Sequence, residues 1–259
     1  LRQALGIGQA LRGIAAGTLS VEVLTEGVHS GDASGVVPSS FRIARRLLDR
    51  IEDSMSGRIL PAAFHAPIPD ERVAQARVAS GILGETMVKR FPWSGRTRPM
   101  VDGNAEVVLN RTWRPALSIT GADGLPPIAN AGNVLRPATK LKLSLRIPPT
   151  LDGEQATAEL KTLLEADPPH GATVRFEPDQ GATGWNAPAT ATWLADAIDA
   201  SSRTFYGQPS GALGEGGTIP FMGMLGKQFP EAQFLITGVL GPKSNAHGPN
   251  EFLHVPYAK

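Results

Sequence analysis

Residues 140–147 alternate without a break, Leu141, Leu143 and Leu145 being interleaved with Lys140, Lys142, Ser144 and Arg146. A period of two puts every leucine on one side of an extended backbone, which defines a strand with one face against a core and one toward water. Such a strand cannot stand alone, because its amides and carbonyls need neighbours and its apolar face needs a cover. The chain is thereby committed to a sheet with a one-sided core. Residues 18–26 repeat the pattern, with Leu19, Val21 and Val23 opposed to Ser20, Glu22 and Leu24. Shorter extended runs at 115–120 and 173–176 supply two further strands.

Helices provide the cover. Pro38-Ser39-Ser40 makes a helix start, after which Phe41, Ala44, Leu47, Leu48 and Ile51 recur at helical spacing while Arg45, Arg46, Asp49 and Arg50 turn outward. A second helix is predicted over Gly153–Glu165. The order strand, helix, strand, strand, helix, strand is the ferredoxin-like (βαββαβ) arrangement, with both helices on one face of an antiparallel sheet. This unit is expected over residues 14–182. An irregular stretch at about 57–110, helical over 69–83, reads as an insertion packing beside the sheet.

Beyond a Gly- and Pro-rich link at 181–188 the pattern changes to helices at 190–206 and 218–228 and a continuous apolar run at 234–239. An unbroken apolar strand between helices belongs to a sheet buried on both faces. Residues 183–259 are therefore expected to be an incomplete piece of an α/β domain, with residues 1–13 as the end of a segment of that domain or a linker.

Composition narrows the function. Lys and Arg number 25 against 24 Asp and Glu, so there is no basic excess to hold a phosphate backbone, and nucleic acid is not an expected partner. The four tryptophans fall in non-periodic segments, which argues against a base-stacking platform and an RNA-binding role. No run approaches the roughly 20 apolar residues that cross a bilayer, so no membrane association is expected. There is no cysteine, which excludes disulfides and thiolate metal sites and leaves His, Asp and Glu as metal ligands; a reducing cytoplasm fits. Gly6-Ile7-Gly8 lacks the strand before it and the later acidic residue of a dinucleotide loop.

Two stretches near the end carry chemistry. Glu215-Gly216-Gly217-Thr218-Ile219-Pro220 opens a predicted helix, where free amides and the positive dipole end favour an anion such as a carboxylate. Thr218 and Pro220 also suit plain capping positions. Asn245-Ala246-His247-Gly248-Pro249-Asn250-Glu251 then places His247 in a Gly/Pro loop just past the apolar run, where a side chain faces the crevice of an open sheet.

Taken with Arg12-Gly13, His29-Ser30-Gly31, Gly57-Arg58-Ile59, Thr112-Trp113-Arg114-Pro115, Asn133-Val134-Leu135-Arg136-Pro137 and Arg146-Ile147-Pro148, these pieces resemble, in order, a family of dinuclear zinc hydrolases. It comprises the carnosinases, acetylornithine deacetylases, succinyl-diaminopimelate desuccinylases and glutamate carboxypeptidases, and the carnosinase-like dipeptidase branch is nearest. The resemblance implies a catalytic domain interrupted by a lid that forms a homodimer, and two Zn2+ per active site. It implies that His247 is the last metal ligand, the other ligands and the general-base Glu lying upstream of Leu1. It also implies that His29 reaches into the partner subunit's site to stabilise the oxyanion, and that Asn133, Arg146, Gly216, Gly217 and Thr218 bind substrate. Without the resemblance, an Arg alternating with Leu is ordinarily a solvent-facing residue, and His65, His170 and His254 read as surface or turn residues. One departure stands out: many carnosinase-like members carry Arg just before Glu-Gly-Gly, where this chain has Gly214.

The implied function of the parent protein is amide-bond hydrolysis of dipeptides or N-acyl amino acids, this chain giving the lid and the last ligand and being inactive alone. The alternative is a non-catalytic dimerisation or ligand-binding module.

Overall fold

The computed structural model of the chain describes residues 6–238, 244–245, 248–253 and 255. In order, the first elements are β1 (Gly6–Leu11), β2 (Gly13–Glu22), β3 (Val28–His29), α1 (Ser30–Ala33), α2 (Ser40–Leu48), α3 (Asp70–Leu83), α4 (Thr86–Lys89) and α5 (Asn104–Thr112). They are followed by β4 (Ala116–Asp123), β5 (Val134–Leu135), β6 (Ala138–Ile147), α6 (Gly153–Glu165) and β7 (Thr173–Pro178). The last are β8 (Trp185–Asn186), α7 (Thr192–Tyr206), β9 (Gly211–Glu215) and α8 (Pro220–Gln228). They divide between two compact units. One comprises Leu1–Arg12, Pro67–Trp113 and Trp185–Lys259, and the other Gly13–Ala66 and Arg114–Gly184.

In the Gly13–Ala66 and Arg114–Gly184 unit, four antiparallel strands lie in the order β4-β6-β2-β7. The register sets Leu19 between Leu141 and Phe176, and Ala15 beside Leu145, so the odd-numbered residues of β2 and β6 share one face. Onto that face α2 brings Ile43, Ala44 and Leu47 and α6 brings Ala156, Leu160 and Leu164, closing one apolar core. Gly17 makes room in it: a Cβ there would lie 2.4 Å from Cζ of the buried Phe176.

Both helices start where the sequence places them. Ser39 caps α2 by accepting from Arg42 N, and Asp152 caps α6 by accepting from Gln155 N at 2.9 Å. The inward stripe of α2 is rotated from expectation, with Phe41 42% exposed and Ile43 at 2%. The first inward position is polar, Ser40, and it is satisfied across the core by Thr139 Oγ1 at 2.9 Å. At the other end of α6, Glu165 accepts from Lys161 Nζ at 2.5 Å and from Phe176 N at 2.7 Å. Burial pushes the pKa of this carboxyl up, but the two hydrogen bonds and the charges of Lys161 and Arg175 outweigh it, and the net shift is downward.

The other unit is built on β1, which pairs in parallel with β9 and antiparallel with β8. Ala10 packs against Ala76, Met87, Val108, Leu109 and Trp113 from the helices between residues 67 and 113. Leu11 packs with Trp185 and Ala187, backed by Met222, Phe234 and Ile236. Of the stretch 57–110 expected as an insertion beside the four-stranded sheet, residues 67–110 instead belong to the helical cover of this second sheet, and the N-terminal stretch expected as a segment end or linker holds its central strand, Gly6–Leu11. The run at 234–239 forms no strand in its described part, 234–238; a single backbone bond, Gly8 N to Ile236 O at 2.7 Å, joins it to β1. Val239 lies outside the described residues. The parallel partner of β1 is β9, whose composition, Gly-Ala-Leu-Gly-Glu, gives no strand signal.

Arg72 of α3 is the unusual member of this core, its side chain only 4% exposed. It donates to Asn186 Oδ1 (2.9 Å), Gln75 Oε1 (2.8 Å), Gln9 Oε1 (3.2 Å) and Ala187 O (2.7 Å), clamping α3 to β1 and β8. Burial lowers its pKa from the ordinary arginine value, against the raising effect of Glu71. Among the described residues, no helix is long and apolar enough to cross a membrane.

Candidate functional site

The residues singled out from the sequence fall into two groups, one in each unit. In the unit of the four-stranded sheet, β3 and β5 form a two-stranded ribbon with His29 opposite Val134 and Val28 opposite Leu135. Ser30 N donates to Asn133 O at 2.9 Å, so the ribbon brings His29 and Asn133 together. The His29 side chain is 65% exposed. Its Nδ1 accepts from Gly31 N at 3.1 Å, capping α1, which in the neutral imidazole leaves Nε2 as the ring's donor. Asp32 Oδ2 stands 3.9 Å from Nδ1.

The ring can lie over α1 only because residue 31 has no side chain, since a Cβ there would be 2.8 Å from His29 Cε1 and 3.0 Å from Nδ1. The His29-Ser30-Gly31 sequence is therefore a packing unit. Arg146 lies on β6, opposite Ile14 and Ala116 and half-buried. It shares the sheet face that carries Lys140 and Lys142, the latter bound to Asp179 at 2.7 Å.

In the other unit, Glu215-Gly216-Gly217-Thr218 forms the turn from β9 into α8, at the C-terminal edge of the parallel pair β1 and β9, where open α/β sheets place ligands. Helix α8 begins at Pro220, two residues later than expected, and its cap residue Ile219 makes no side-chain capping bond. The Thr218 hydroxyl donates instead to Arg12 O at 2.5 Å.

Arg12 surrounds the turn. Its N donates to Glu215 O and its Nε to Gly216 O, each at 3.4 Å, and its Nη1 reaches Asn110 O at 3.2 Å. Arg111, in the last turn of α5, holds Glu215 Oε2 at 2.8 Å. Position 214 has no room for a side chain, because a Cβ there would stand 2.7 Å from Thr112 Cβ. Arg12 and Arg111 supply cationic groups beside this turn, and Arg90 lies close enough to feel the charges of Arg111 and Glu215.

His247 lies outside the described residues, as does His254. Among the described residues no group of three or more His, Asp or Glu comes together as a metal site, so they do not by themselves make a dinuclear centre. His65 is taken by Ile59 O at 2.7 Å, and His170 occupies a turn with φ 57°. Sequence reasoning used Arg12 only as part of a motif and passed over its hold on the turn. No local signal marks it, because the contact joins the ends of β1 and β9, neither of which reads as a strand in the sequence.

Residues 9–172 match the M20 family of peptidase dimerisation domains. Over 96% of its length the chain is 28% identical to a cysteinylglycine-S-conjugate dipeptidase of Corynebacterium striatum, of which it covers 54%. In structure it resembles the di-peptidase Dug1p of Saccharomyces cerevisiae (TM-score 0.75, 21% identity, 98% of this chain and 53% of that one). It also resembles human carnosine dipeptidase 1 (0.67, 22%, 88% and 48%). A third likeness is to the M20 family metallo-carboxypeptidase Sso-CP2 of Sulfolobus solfataricus (0.71, 18%, 98% and 57%). The chain thus spans about half the length of these relatives.

Proposed function

Because the chain belongs to the M20 peptidase dimerisation-domain family, we propose that its parent protein is a zinc-dependent hydrolase of dipeptides or N-acyl amino acids. In this reading the Gly13–Ala66 and Arg114–Gly184 unit is a ferredoxin-like lid that pairs with a second copy. The unit built on β1 is the C-terminal part of the catalytic domain. The observation that carries the reading is the coincidence of the family match with a Gly-Gly turn, flanked by two arginines, at the C-terminal edge of a parallel strand pair.

The residues then divide the work. The Gly216-Gly217-Thr218 turn takes the substrate's free carboxylate, its amides and the adjacent cations favouring an anion. Arg146 is a bidentate partner for a carboxylate and Asn133 an amide that orients the substrate. His29 Nε2 donates to the oxygen that becomes negative as the amide carbon is attacked, in the site of the partner subunit. His247 is one zinc ligand and the others are expected outside this chain, since one imidazole falls short of the ligands that each zinc needs.

The test is the complete parent protein. Wild type is expected to bind zinc and cleave dipeptides, and His247→Ala to lose both. Full dipeptidase activity in His247→Ala at unchanged zinc content would refute the metal assignment. A wild-type protein that dimerises without zinc or activity would leave a pairing module.

A further inference from the structure

The turn after β9 contains two consecutive glycines, and glycine peptides flip readily because no Cβ restrains φ. A flipped peptide would present a carbonyl oxygen to an incoming anion where an N–H is needed. Something has to fix the planes, and Arg12 is placed to do it. Its backbone N holds Glu215 O and its Nε holds Gly216 O. Peptide groups are planar and trans, so the N–H of each unit points opposite to its carbonyl. Gripping the carbonyls of 215 and 216 from the Arg12 side therefore turns the amides of Gly216 and Gly217 to the other side.

The same residue anchors the far end of the turn, since Arg12 O receives the Thr218 hydroxyl at 2.5 Å. Through Nη1 on Asn110 O it ties the turn to the end of α5. The fit is close, because a Cβ on Gly216 would lie 3.4 Å from Arg12 Nη2 and 3.2 Å from Arg111 O.

Resting on the reading that this turn binds the substrate carboxylate, we infer that Arg12 is the positioning residue of that subsite. Its guanidinium sets the peptide plane that carries the Gly217 N–H, its backbone N sets the one that carries the Gly216 N–H, and the side chain does not itself touch the substrate. The planar fork is essential, because a lysine ammonium keeps the charge but not the paired geometry.

The experiment uses the full-length, zinc-loaded protein and compares a dipeptide with its C-terminally amidated counterpart. Wild type is expected to show a lower KM for the free acid. Arg12→Gln should raise KM for the free acid about tenfold with kcat within about twofold, the pattern of binding lost equally from ground and transition states. It should leave the amidated substrate and the zinc content unchanged, and Arg12→Lys should recover only part of the loss. Arg12→Lys carries the test if Arg12→Gln fails to fold, since it keeps the charge and most of the stem while losing the Nε donor to Gly216 O. Variants that keep the wild-type ratio overturn the inference while the carboxylate reading stands. A wild type indifferent to amidation overturns that reading and the inference with it.

Discussion

Gly31→Ala separates the catalytic reading of His29 from that of a solvated loop residue. The added methyl would lie 2.8 Å from His29 Cε1 and 3.0 Å from Nδ1. Ordinary carbon contacts begin near 3.4 Å, so the ring must retreat by about 0.5 Å or rotate. Either movement stretches the 3.1 Å bond from Gly31 N beyond hydrogen-bonding range, and Nε2 leaves its direction with it. Losing one oxyanion donor costs about 10²- to 10³-fold in kcat, and a misplacement of about 1 Å about 10²-fold. If the proposed activity holds, Gly31→Ala in the parent protein lowers kcat about 30- to 100-fold with KM nearly unchanged.

Stability cannot account for such a loss. Residue 31 is exposed and within α1, where alanine gains up to about 1 kcal/mol over glycine in helix propensity and the lost cap costs about as much. The assay is steady-state hydrolysis by wild type, Gly31→Ala, His29→Ala and the double variant. Because both substitutions act through one ring, the double variant should be no slower than His29→Ala. Wild-type kcat in Gly31→Ala alongside a crippled His29→Ala, or losses that multiply in the double variant, would refute the reasoning.

Two further outcomes concern stability. Glu165→Gln should cost about 1 kcal/mol at pH 7 by urea unfolding, as the bonds to Lys161 and Phe176 N weaken. The folded-state pKa is lowered, so the contribution is present above the ordinary carboxylate range and lost as pH falls through the folded value; wild type and variant should converge in acid. Arg72→Met should destabilise the β1 unit by about 3 kcal/mol or more, leaving Gln9, Asn186 and Ala187 O without their donor, and an unchanged midpoint would show that water replaces the guanidinium.

The four-stranded sheet was legible because its inner strands obey a period of two and its helices carry their own start signals. Leu141, Leu143 and Leu145 face the core as the alternation requires, and α6 spans the predicted residues. The first half of β2 escaped notice because Gly13, Ala15, Ala16 and Gly17 carry too little side chain to alternate. The second sheet was obscured for a related reason: β9 is short and glycine-rich, and β1 opens on Gly6-Ile7-Gly8. Arg72 hid in α3 because the buried stripe Arg72, Ala76, Ala79 reads as half polar until Gln9, Gln75 and Asn186 are seen to surround it.

The candidate site was legible only as motifs, and the geometry gives two of them a physical meaning. In His29-Ser30-Gly31 the glycine is the surface on which the imidazole rests, and in Glu215-Gly216-Gly217 the first glycine lies against the guanidinium of Arg12. In both cases a polar group is oriented by backbone; a methyl would displace the imidazole in the first, and in the second would press on Arg111 O at 3.2 Å while only touching the guanidinium. The pairing in one case is two residues apart and in the other spans most of the chain. A local motif exposes the first contact and conceals the second, which is why His29 could be singled out from sequence while Arg12 emerged only when β1 and β9 were set side by side.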